Sequence, residues 1–340
     1  MASGFRPFLE AAAAGPLPAG EMAAAMELML DGAVSDVESA GFLMALRARG
    51  ETVEEIAAAA RVMRDKATPV SAPSHAVDTC GTGGDGAGTF NISTAAALVA
   101  AGCGVPVAKH GNKAASSKSG SSDVLSALGV NIHVEPPVIS RSIREAGVGF
   151  MFAAAHHRAV AHVAAVRSAL GVRTLFNLLG PLTNPAGARR QLMGVFHVDL
   201  VEPIAQVLST LGAERAWVVH GEDGLDELTT TGSTTVADVR AGAVSAFRIA
   251  PEDVGLSRAR IEDLKGGGPE ENARAIAALL DGERSAFRDI VILNAGAAAM
   301  IGGAADTLAD GVAAAAEAID NGSAKAALAA LVAITNGAAS

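Results

Sequence analysis

The strongest constraint on the fold is a change of sequence pattern near residue 70. Before it the chain reads as helices only, and Ser35 and Thr52 are each followed three residues later by a glutamate, the pattern of a capping box. The segment TPVSAPS, residues 68–74, carries two prolines and ends this helical part. Beyond it, short apolar runs alternate with helical segments, which is typical of an open α/β domain with a mostly parallel sheet.

The apolar runs are the expected strands of that sheet. Seven of them have the length and composition of buried strands: AVDT (76–79), VPVAKHG (105–111), VNIHV (130–134), GVGFMFA (147–153), QLMGVF (191–196), AWVVHG (216–221) and DIVILNAG (289–296). The predicted fold class is therefore α/β, with a helical N-terminal part followed by a mostly parallel central sheet.

Composition and charge limit the classes of function. The chain has 340 residues, of which 50% are hydrophobic and 18% charged, as in a soluble globular protein. A net charge of −10, without a long basic stretch, disfavours a general nucleic-acid binder. Cys80 and Cys103 form neither a metal-binding spacing nor a disulfide framework, and residues 1–10 lack the apolar run of a signal peptide. We expect a cytoplasmic protein that does not span a membrane.

Glycines crowd a short stretch between the first expected strand and the helix that follows it. In VDTCGTGGDGAGTFNISTA, residues 77–95, four glycines fall within six positions. Glycine lets the backbone approach an anion closely, and N–H groups at a helix start favour phosphate or pyrophosphate. The spacing is neither that of a Walker A motif nor GxGxxG, so a tight turn that closes one βα unit is the alternative.

A second polar stretch follows the next expected strand. It is KHGNKAASSKSGSSDVLSALG, residues 109–129, and it should lie at the carboxyl edge of the sheet, where open α/β sheets bind their ligands. Its donors suit a phosphate ester, although a solvated polar loop is the alternative. They are Lys109, His110, Asn112, Lys113, Ser116, Ser117, Lys118, Ser119, Ser121 and Ser122.

Two further stretches supply charge. In GEDGLDELTTTG, residues 221–232, Asp226 and Glu227 could hold Mg²⁺, which prefers carboxylate and water oxygens and bridges to phosphates. In VRSALGVRTLFNLLGPLTNPAG, residues 166–187, Arg167 and Arg173 are candidates for gripping a carboxylate. The alternative for each pair is a set of ordinary surface charges.

These stretches, in this order and spacing, resemble the anthranilate phosphoribosyltransferase family of tryptophan biosynthesis. The resemblance is carried by GTGGD, NIST, KHGN…SSKSGS.DVL..LG, VR..LGVRTLFNLLGPLTNP and DGLDE. It implies a small helical domain of residues 1–72 and about 168–190, and a larger α/β domain of residues 73–167 and about 191–340. It also implies a homodimer formed through the helical domains.

The family's binding residues carry over position by position. Contacts to phosphoribosyl pyrophosphate are implied at Gly81, Gly84, Asp85, Thr89, Asn91, Ile92, Ser93, Thr94, Lys109, His110, Gly111, Asn112, Lys113, Ala114, Ala115, Ser116, Ser117 and Ser121. The implied Mg²⁺ ligands are Ser93, Asp226 and Glu227, and the implied anthranilate contacts are Gly81, Asn112 and Arg167.

The sequence departs from the family pattern in two places. Lys113 stands where an arginine is usual, and FAAAHHRAVAHV, residues 152–163, differs from the family's usual segment. The first departure keeps the charge and loses the planar fork of arginine. The catalytic residue is not identified by the resemblance; His110 is a candidate, with a purely structural role as the alternative.

The implied reaction transfers the 5-phosphoribosyl group from phosphoribosyl pyrophosphate to the amine of anthranilate, with Mg²⁺ as cofactor. It is the second step of tryptophan biosynthesis from chorismate. A pyrimidine nucleoside phosphorylase of the same architecture is the alternative enzyme, and the acidic pair and intact KHGN speak against it. A non-catalytic, nucleic-acid-binding relative is expected to lose the acids and gain a basic surface, whereas this chain is acidic.

Overall fold

A bundle of four helices opens the chain. The structure, a computed structural model, describes residues 4–113 and 118–337. The bundle helices are α1 (Arg6–Ala14), α2 (Ala19–Leu30), α3 (Asp36–Arg49) and α4 (Val53–Asp65). Both expected capping boxes are present: Ser35 caps α3 and Thr52 caps α4, each paired with the glutamate three residues on. The helical N-terminal part of the prediction is confirmed.

The rest of the described chain is built on one seven-stranded sheet. The strands are β1 (Val77–Gly81), β2 (Val107–Gly111), β3 (Val148–Phe152), β4 (Arg190–Gly194), β5 (Arg215–Gly221), β6 (Thr234–Arg240) and β7 (Ala243–Ile249). Their order is β3-β2-β1-β4-β5-β6-β7. Strands β1 to β5 are parallel to one another, and β6 pairs antiparallel with both β5 and β7. The predicted α/β class with a mostly parallel sheet is confirmed, and the strand order reverses between β1 and β4.

Helices cover both faces of this sheet. After the bundle they are α5 (Ile92–Gly102), α6 (Ser121–Ala127), α7 (Pro136–Glu145), α8 (Ala153–His156), α9 (Ala161–Leu170), α10 (Leu175–Leu182), α11 (Val201–Thr210), α12 (Pro269–Leu280), α13 (Ala286–Gly302), α14 (Leu308–Asp320) and α15 (Ser323–Thr335). Side chains alternate between the faces along each strand. On β4, Leu192 joins the core that contains α5 and α13, whereas Met193 joins the core that contains α11 and the bundle.

Two of the expected strands are absent from the sheet. VNIHV has no strand pairing, although Val130 and Ile132 are buried against the helices. DIVILNAG lies within α13, in which nearly every residue is buried. A helix that is buried all round has a continuous apolar sequence, which periodicity alone does not distinguish from a buried strand.

The sheet also contains a hairpin that the sequence analysis did not predict. β6 and β7 are joined by Ala241 and Gly242, with φ of 50° and 86°. Positive φ at both positions is the requirement of the tight turns that suit the twist of antiparallel strands. Because β7 is mostly exposed, it lacks the apolar run by which the other strands were found.

The chain returns to the helical bundle after β3. Helix α9 packs on α2 and α3, and α10 packs on α3 and α4. The predicted domain bounds stay a prediction, and this packing favours a return that begins near Ala161 instead of near residue 168. Within the part of the chain that the structure describes, none of the helices has the length and apolar character needed to cross a bilayer.

Candidate active site

The polar stretches meet at the carboxyl edge of the parallel sheet. The glycine-rich segment, residues 82–91, follows β1 and leads into α5; residues 112–120 follow β2; and residues 222–233 follow β5. Because β1 lies between β2 and β4, the glycine-rich segment stands where the strand order reverses. Open α/β sheets bind ligands at this position.

The glycine-rich segment needs its glycines for conformation. Gly83, Gly84, Gly86 and Gly88 have φ of 66°, 74°, 72° and 63°, a region that disfavours other residues. The segment ends at Ile92, the first residue of α5, so its N–H groups add to those at the start of a helix. The N–H groups in this arrangement can donate hydrogen bonds to the oxygens of a phosphate group. We call residues 82–88 the glycine loop.

The acidic pair lies directly against the glycine loop. The backbone N–H of Gly83 donates to Asp226 Oδ2 at 2.7 Å, and that of Ser93 donates to Glu227 Oε1 at 3.0 Å. Gly81 and Gly194, at the ends of β1 and β4, make this approach possible. A Cβ at Gly81 would lie 2.3 Å from Asp226 Oδ2, and one at Gly194 would lie 1.5 Å from the Asp226 carbonyl oxygen.

The surroundings of the acidic pair disfavour its two negative charges. The pKa of Asp226 is raised to about 7, mainly by burial and next by the nearby Asp85 carboxylate. Burial also raises the pKa of Glu227 well above its ordinary value, with the Asp226 charge as the next cause. The Lys109 ammonium opposes this effect at Glu227, and a bound cation would favour the charged forms of both acids.

Lys109 ties three elements of the site together. It is 2% exposed on β2, and its Nζ donates to the Thr79 carbonyl at 2.5 Å and to Ser93 Oγ at 3.3 Å. Burial lowers the pKa of Lys109, while the Asp78 carboxylate opposes that effect. The ammonium therefore sits behind the start of α5, where it fixes the Ser93 hydroxyl.

Asn91 is held by residues from two directions. Its Nδ2 donates to the Ser119 carbonyl at 3.1 Å, and its Oδ1 accepts from Asn272 Nδ2 at 2.8 Å. Asn272, 1% exposed on α12, also accepts from the backbone N–H of Gly267 at 2.8 Å. Thr89 forms an antiparallel bridge with Lys265 in the same segment.

The sequence analysis missed this support from residues 264–273. The stretch LKGGGPEENA combines glycines with an asparagine at a helix start, and this was the available signal. The strand-like pairing joins Lys265 to Thr89, just after the glycine loop. These two residues are far apart in the chain, so the local sequence pattern does not indicate their contact.

The three residues that follow Asn91 differ in what they can offer a ligand. The Ile92 side chain is 2% exposed in the core, so only its backbone can contact a phosphate. Thr94 is 1% exposed, and its Oγ1 has no hydrogen-bond partner among the described residues. Ser93 is the one of the three whose side chain contacts Lys109, and its backbone N–H donates to Glu227.

The end of β2 and the residue that follows it contact the start of α6. A Cβ at Gly111 would lie 2.2 Å from Ser121 Oγ, and Ser121 Oγ donates to the Asn112 carbonyl at 3.2 Å. Asn112 Oδ1 accepts from the backbone N–H of Lys113 at 2.9 Å, and Lys113 is exposed. The remaining predicted contacts of this loop, Ala114, Ala115, Ser116 and Ser117, lie outside the described residues.

His110 belongs to a buried histidine cluster. Its ring centroid lies 5.0 Å from that of His157, and within the described chain the Nε2 atoms of both rings lack hydrogen-bond partners. The pKa of His110 is lowered to about 3, mainly by burial and next by the neighbouring His157 and His156. The imidazole is therefore neutral near pH 7, when it can position a polar group but is a weak base.

The Asn184-Pro185 segment, which follows α10, is anchored near the backbone of His110. Asn184 Nδ2 donates to Asp78 Oδ2 and to the Ala108 carbonyl, both at 2.8 Å, and Asp78 Oδ1 accepts from the backbone N–H of His110 at 3.1 Å. Burial raises the pKa of Asp78 to about 6. This network joins β1, β2 and the chain after α10, and the sequence analysis did not assign it.

The two candidate arginines lie in different surroundings. Arg167, on α9, has its Cζ 5.3 Å from the Phe176 ring centroid, and burial lowers its pKa. Its guanidinium makes no hydrogen bond or ion pair with the residues that the structure describes. Arg173 instead donates from Nη2 to the Gly84 carbonyl, so its guanidinium is already used within the protein.

An open cavity of about 290 Å³ lies at the opposite edge of the sheet, at the amino ends of β1, β2 and β3. It is lined by Pro73, His75, Ala101, Gly104, Pro106, Ile143, Arg144 and Gly147. It contains none of the predicted site residues that are described, and the hydrogen-bonded polar groups converge at the carboxyl edge instead.

Comparison with known families agrees with this architecture. The sequence matches the helical bundle domain of the glycosyl transferase family over residues 10–67 and the a/b domain of that family over residues 73–325. Because these two matches cover most of the chain, the chain belongs to this glycosyl transferase family.

Relatives place the chain more narrowly. Anthranilate phosphoribosyltransferase of Rhodospirillum rubrum is 61% identical over 96% of this chain and 94% of its own length. The Brucella abortus enzyme of the same name is 53% identical over 97% and 98%. A crystal structure of the Thermus thermophilus enzyme superposes with a TM-score of 0.93 at 48% identity, covering 97% of this chain and 99% of that one. The chain belongs to the anthranilate phosphoribosyltransferase family.

A more distant structure carries ligands. The enzyme from Saccharomyces cerevisiae, solved in complex with PRPP and Mg, has a TM-score of 0.85 at 28% identity and covers 94% of each chain. The same yeast enzyme has been solved in complex with 4-fluoroanthranilate.

Proposed function

We propose that the glycine loop, the start of α5 and the acidic pair together form the phosphoribosyl pyrophosphate site of this chain. The chain transfers the 5-phosphoribosyl group to the amine of anthranilate, giving N-(5-phosphoribosyl)anthranilate and pyrophosphate. One observation carries the placement: Asp226 and Glu227 are hydrogen-bonded to Gly83 and Ser93, so the acids and the phosphate-type turn form one unit.

The residues present fit a magnesium ion. Asp226, Glu227 and the Ser93 hydroxyl offer hard oxygen ligands, and the raised pKa values of the two acids reflect a site that favours added positive charge. The yeast relative was solved with PRPP and Mg. When bound, Mg²⁺ supplies neutralisation of charge on the pyrophosphate leaving group.

The phosphate contacts would come from backbone and side chain together. N–H groups of the glycine loop can donate to phosphate oxygens, whereas the Ile92 N–H already donates to the Phe90 carbonyl at 2.8 Å. Asn91 and Asn112 are positioned by their own hydrogen bonds. Lys109 adds a fixed positive charge behind Ser93. The proposed contacts are Gly81, Gly84, Asp85, Thr89, Asn91, Ile92, Ser93, Thr94, Lys109, His110, Gly111, Asn112, Lys113 and Ser121, together with residues 114–117.

We place the anthranilate carboxylate at Arg167. A half-buried guanidinium without a hydrogen-bond partner in the described chain has two parallel N–H groups to give to a carboxylate. The other two proposed anthranilate contacts are Gly81, at the end of β1, and Asn112, which follows β2. Gripping the carboxylate also orients the adjacent amine toward the ribose.

The mechanism that these residues support is positioning with charge stabilisation. An aryl amine is a weak nucleophile, so C1 of the ribose should develop oxocarbenium character as pyrophosphate leaves. Loop N–H groups and Lys109 stabilise the departing charge, and the two substrates are held in line. His110, neutral near pH 7, is a candidate for orienting the amine or the ribose, and the mechanism needs no strong base early in the reaction.

The assembly that we propose is a homodimer through the helical domain. On α3, Val37 is 82% exposed and Met44 is 37% exposed, and seven residues apart they share one face. Burial of both by a second copy would explain their exposure here, and light scattering of Val37→Glu with Met44→Glu should give a monomer. We propose the cytoplasm as the compartment, because Cys80 and Cys103 are both free thiols.

Substrate choice is tested by comparing two reactions on one preparation. Turnover of anthranilate with phosphoribosyl pyrophosphate is measured against turnover of thymidine with phosphate, the reaction of the alternative enzyme. We expect activity with the first pair only. Activity confined to thymidine and phosphate would overturn the proposal.

A further inference from the structure

Arg173 joins the helical domain to the glycine loop. It lies in the turn between α9 and α10, and its Nη2 donates to the carbonyl oxygen of Gly84. Its guanidinium also lies over the ring of Phe196, with Cζ 4.0 Å from the ring centroid. A planar cation stacked on an aromatic face is restricted in its rotation, so it can hold a hydrogen bond in a fixed direction.

Both ends of this contact are held by further bonds. Arg47, in the last turn of α3, donates from Nη1 to the Arg173 carbonyl. The backbone N–H of Phe196 donates to Thr82 Oγ1 at 3.0 Å, which ties the ring to the start of the glycine loop. A continuous polar path therefore runs from α3 through Arg173 to Gly84.

A hydrogen bond to the Gly84 carbonyl fixes the orientation of the peptide unit between Gly84 and Asp85. The peptide unit is planar and trans, so the Gly84 oxygen and the Asp85 N–H point in opposite directions. When Arg173 holds the oxygen, the Asp85 N–H is turned away from Arg173. Because a glycine-rich segment has many accessible backbone conformations, an unheld loop would lose this orientation at an entropic cost to binding.

We propose that Arg173 is a positioning residue that holds the glycine loop in its phosphate-binding conformation from the side of the helical domain. The inference rests on the proposed placement of phosphoribosyl pyrophosphate at this loop. Arg173 acts through Gly84 and does not bind a substrate carboxylate, because its guanidinium is engaged by the carbonyl and the ring.

The proposal is tested with Arg173→Met, which keeps much of the side-chain length and removes the donor. We expect the KM for phosphoribosyl pyrophosphate to rise about tenfold, the order of one lost charge-assisted hydrogen bond, while the KM for anthranilate changes little. Arg173→Lys, which keeps the charge without the stacked fork, should fall between wild type and methionine, and it substitutes for Arg173→Met if that variant does not fold.

Arg61 provides the matched control. Arg61 is an exposed residue of α4, and it also donates to a carbonyl of the α/β domain, from Nη2 to Thr210 at 3.1 Å, but it lies away from the glycine loop. Arg61→Met should leave both KM values at the wild-type level. A rise in both variants would assign the effect to general loosening of the domain contact and overturn the proposal.

Arg47→Met distinguishes a connected path from an isolated contact. Alone, it should raise the KM for phosphoribosyl pyrophosphate by a smaller factor than Arg173→Met. Added to Arg173→Met, it should have no further effect, because the path is already broken at Gly84. Fully multiplicative effects would contradict the path from α3.

Gly83→Val separates failure of this inference from failure of the proposed function. Gly83 has φ of 66° and belongs to the same loop, yet an added Cβ there would meet no atom within 4 Å. If Gly83→Val raises the KM for phosphoribosyl pyrophosphate and Arg173→Met does not, the role of Arg173 is overturned while the site stands. If neither changes it, the placement of the substrate is wrong. A defect of Arg173→Met confined to anthranilate would make Arg173 a substrate ligand, against the proposal.

Discussion

The backbone N–H of Ser93 donates to Glu227 Oε1 at 3.0 Å, across 134 positions of sequence. This bond joins the first turn of α5 to the loop after β5, so two stretches on different strands share one site. With the bond from Gly83 to Asp226, it holds both acids against the glycine loop and the start of α5. The predictions below test the parts of that arrangement separately.

Gly84 should tolerate no larger side chain. Valine at φ of 74° is strained, and its Cβ would lie 3.1 Å from Arg173 Nη2. We expect Gly84→Val to raise the apparent dissociation constant of phosphoribosyl pyrophosphate at least tenfold, roughly 1.4 kcal/mol, and to affect anthranilate less. Calorimetric titration measures both constants.

Gly212→Val is the control for backbone strain alone. Gly212 has φ of 84° and open space around a Cβ, but it follows α11 and lies away from the loop. It should lower stability without changing binding. Unchanged binding by Gly84→Val would mean that the glycines serve only the turn.

Arg167 should respond in a graded way to loss of its fork. Lysine keeps the charge without two parallel donors, and alanine removes both. A lost charge-assisted hydrogen bond costs roughly 1.5–3 kcal/mol, so kcat/KM for anthranilate should fall about 10- to 100-fold in Arg167→Ala and less in Arg167→Lys. The value for phosphoribosyl pyrophosphate should change little.

The control for Arg167 has to come from another part of the molecule. Arg173 is unsuitable because it contacts Gly84. Arg144, exposed on α7 at the opposite edge of the sheet, is suitable. If Arg144→Ala and Arg167→Ala behave alike, the carboxylate is not bound at Arg167.

His157 should make the fold sensitive to acid. Burial lowers its pKa to about 4, with the neighbouring His156 as the next cause, whereas in the unfolded chain the pKa is near its ordinary 6.5. As the pH falls below 6.5, the unfolded chain takes up a proton that the folded chain does not, so stability falls. This histidine should contribute a loss of about 2 kcal/mol between about pH 7 and about pH 5.

Urea unfolding at the two pH values measures that loss. His157→Gln should reduce it, while the same substitution at the exposed His75 should leave it unchanged. An identical acid dependence in wild type and His157→Gln would show that His157 takes up its proton in the folded state.

Asn272 should matter for binding although it lies in α12, remote in sequence from the motifs. Its Nδ2 bond to Asn91 Oδ1 is partly buried, and the substitution removes one of two donors to that oxygen, leaving Ser119 Oγ at 3.2 Å. We expect Asn272→Ala to weaken binding of phosphoribosyl pyrophosphate about tenfold. Asn336→Ala, which removes an exposed bond to Gly129 at the end of α15, should not alter binding in the same titration.

Local chemistry explains what the sequence predicted well. The capping boxes at Ser35 and Thr52 are contained in four residues each, and they formed as expected. Five of the seven expected strands are present because buried parallel strands are continuous apolar runs. The position of the glycine loop and of Asp226 follows from the same pattern, since each stands just beyond a strand.

Long-range contacts explain what the sequence did not predict. Asn184 reaches Asp78 across 106 positions, and Asn272 reaches Asn91 across 181, so neither partner is visible in the neighbouring residues. Arg167 and Arg173 lie in the same stretch of sequence. Only the structure shows that Phe196 and the Gly84 carbonyl engage the guanidinium of Arg173. Gly194 is not required by a turn. A glycine is needed there because the backbone of Asp226 passes directly beside it.

The central claim is that the acidic pair and the glycine loop bind phosphoribosyl pyrophosphate together with Mg²⁺. The most direct measurement is calorimetric titration of phosphoribosyl pyrophosphate with and without Mg²⁺, for wild type and for Asp226→Asn with Glu227→Gln. Wild type should bind more tightly with Mg²⁺, and the double variant should lose that dependence. Its metal-free fold should be no less stable near pH 8, because neutral amides avoid the cost of burying two carboxylate charges, and burial is the main cause of both raised pKa values. Wild-type dependence on Mg²⁺ in the double variant would contradict the account.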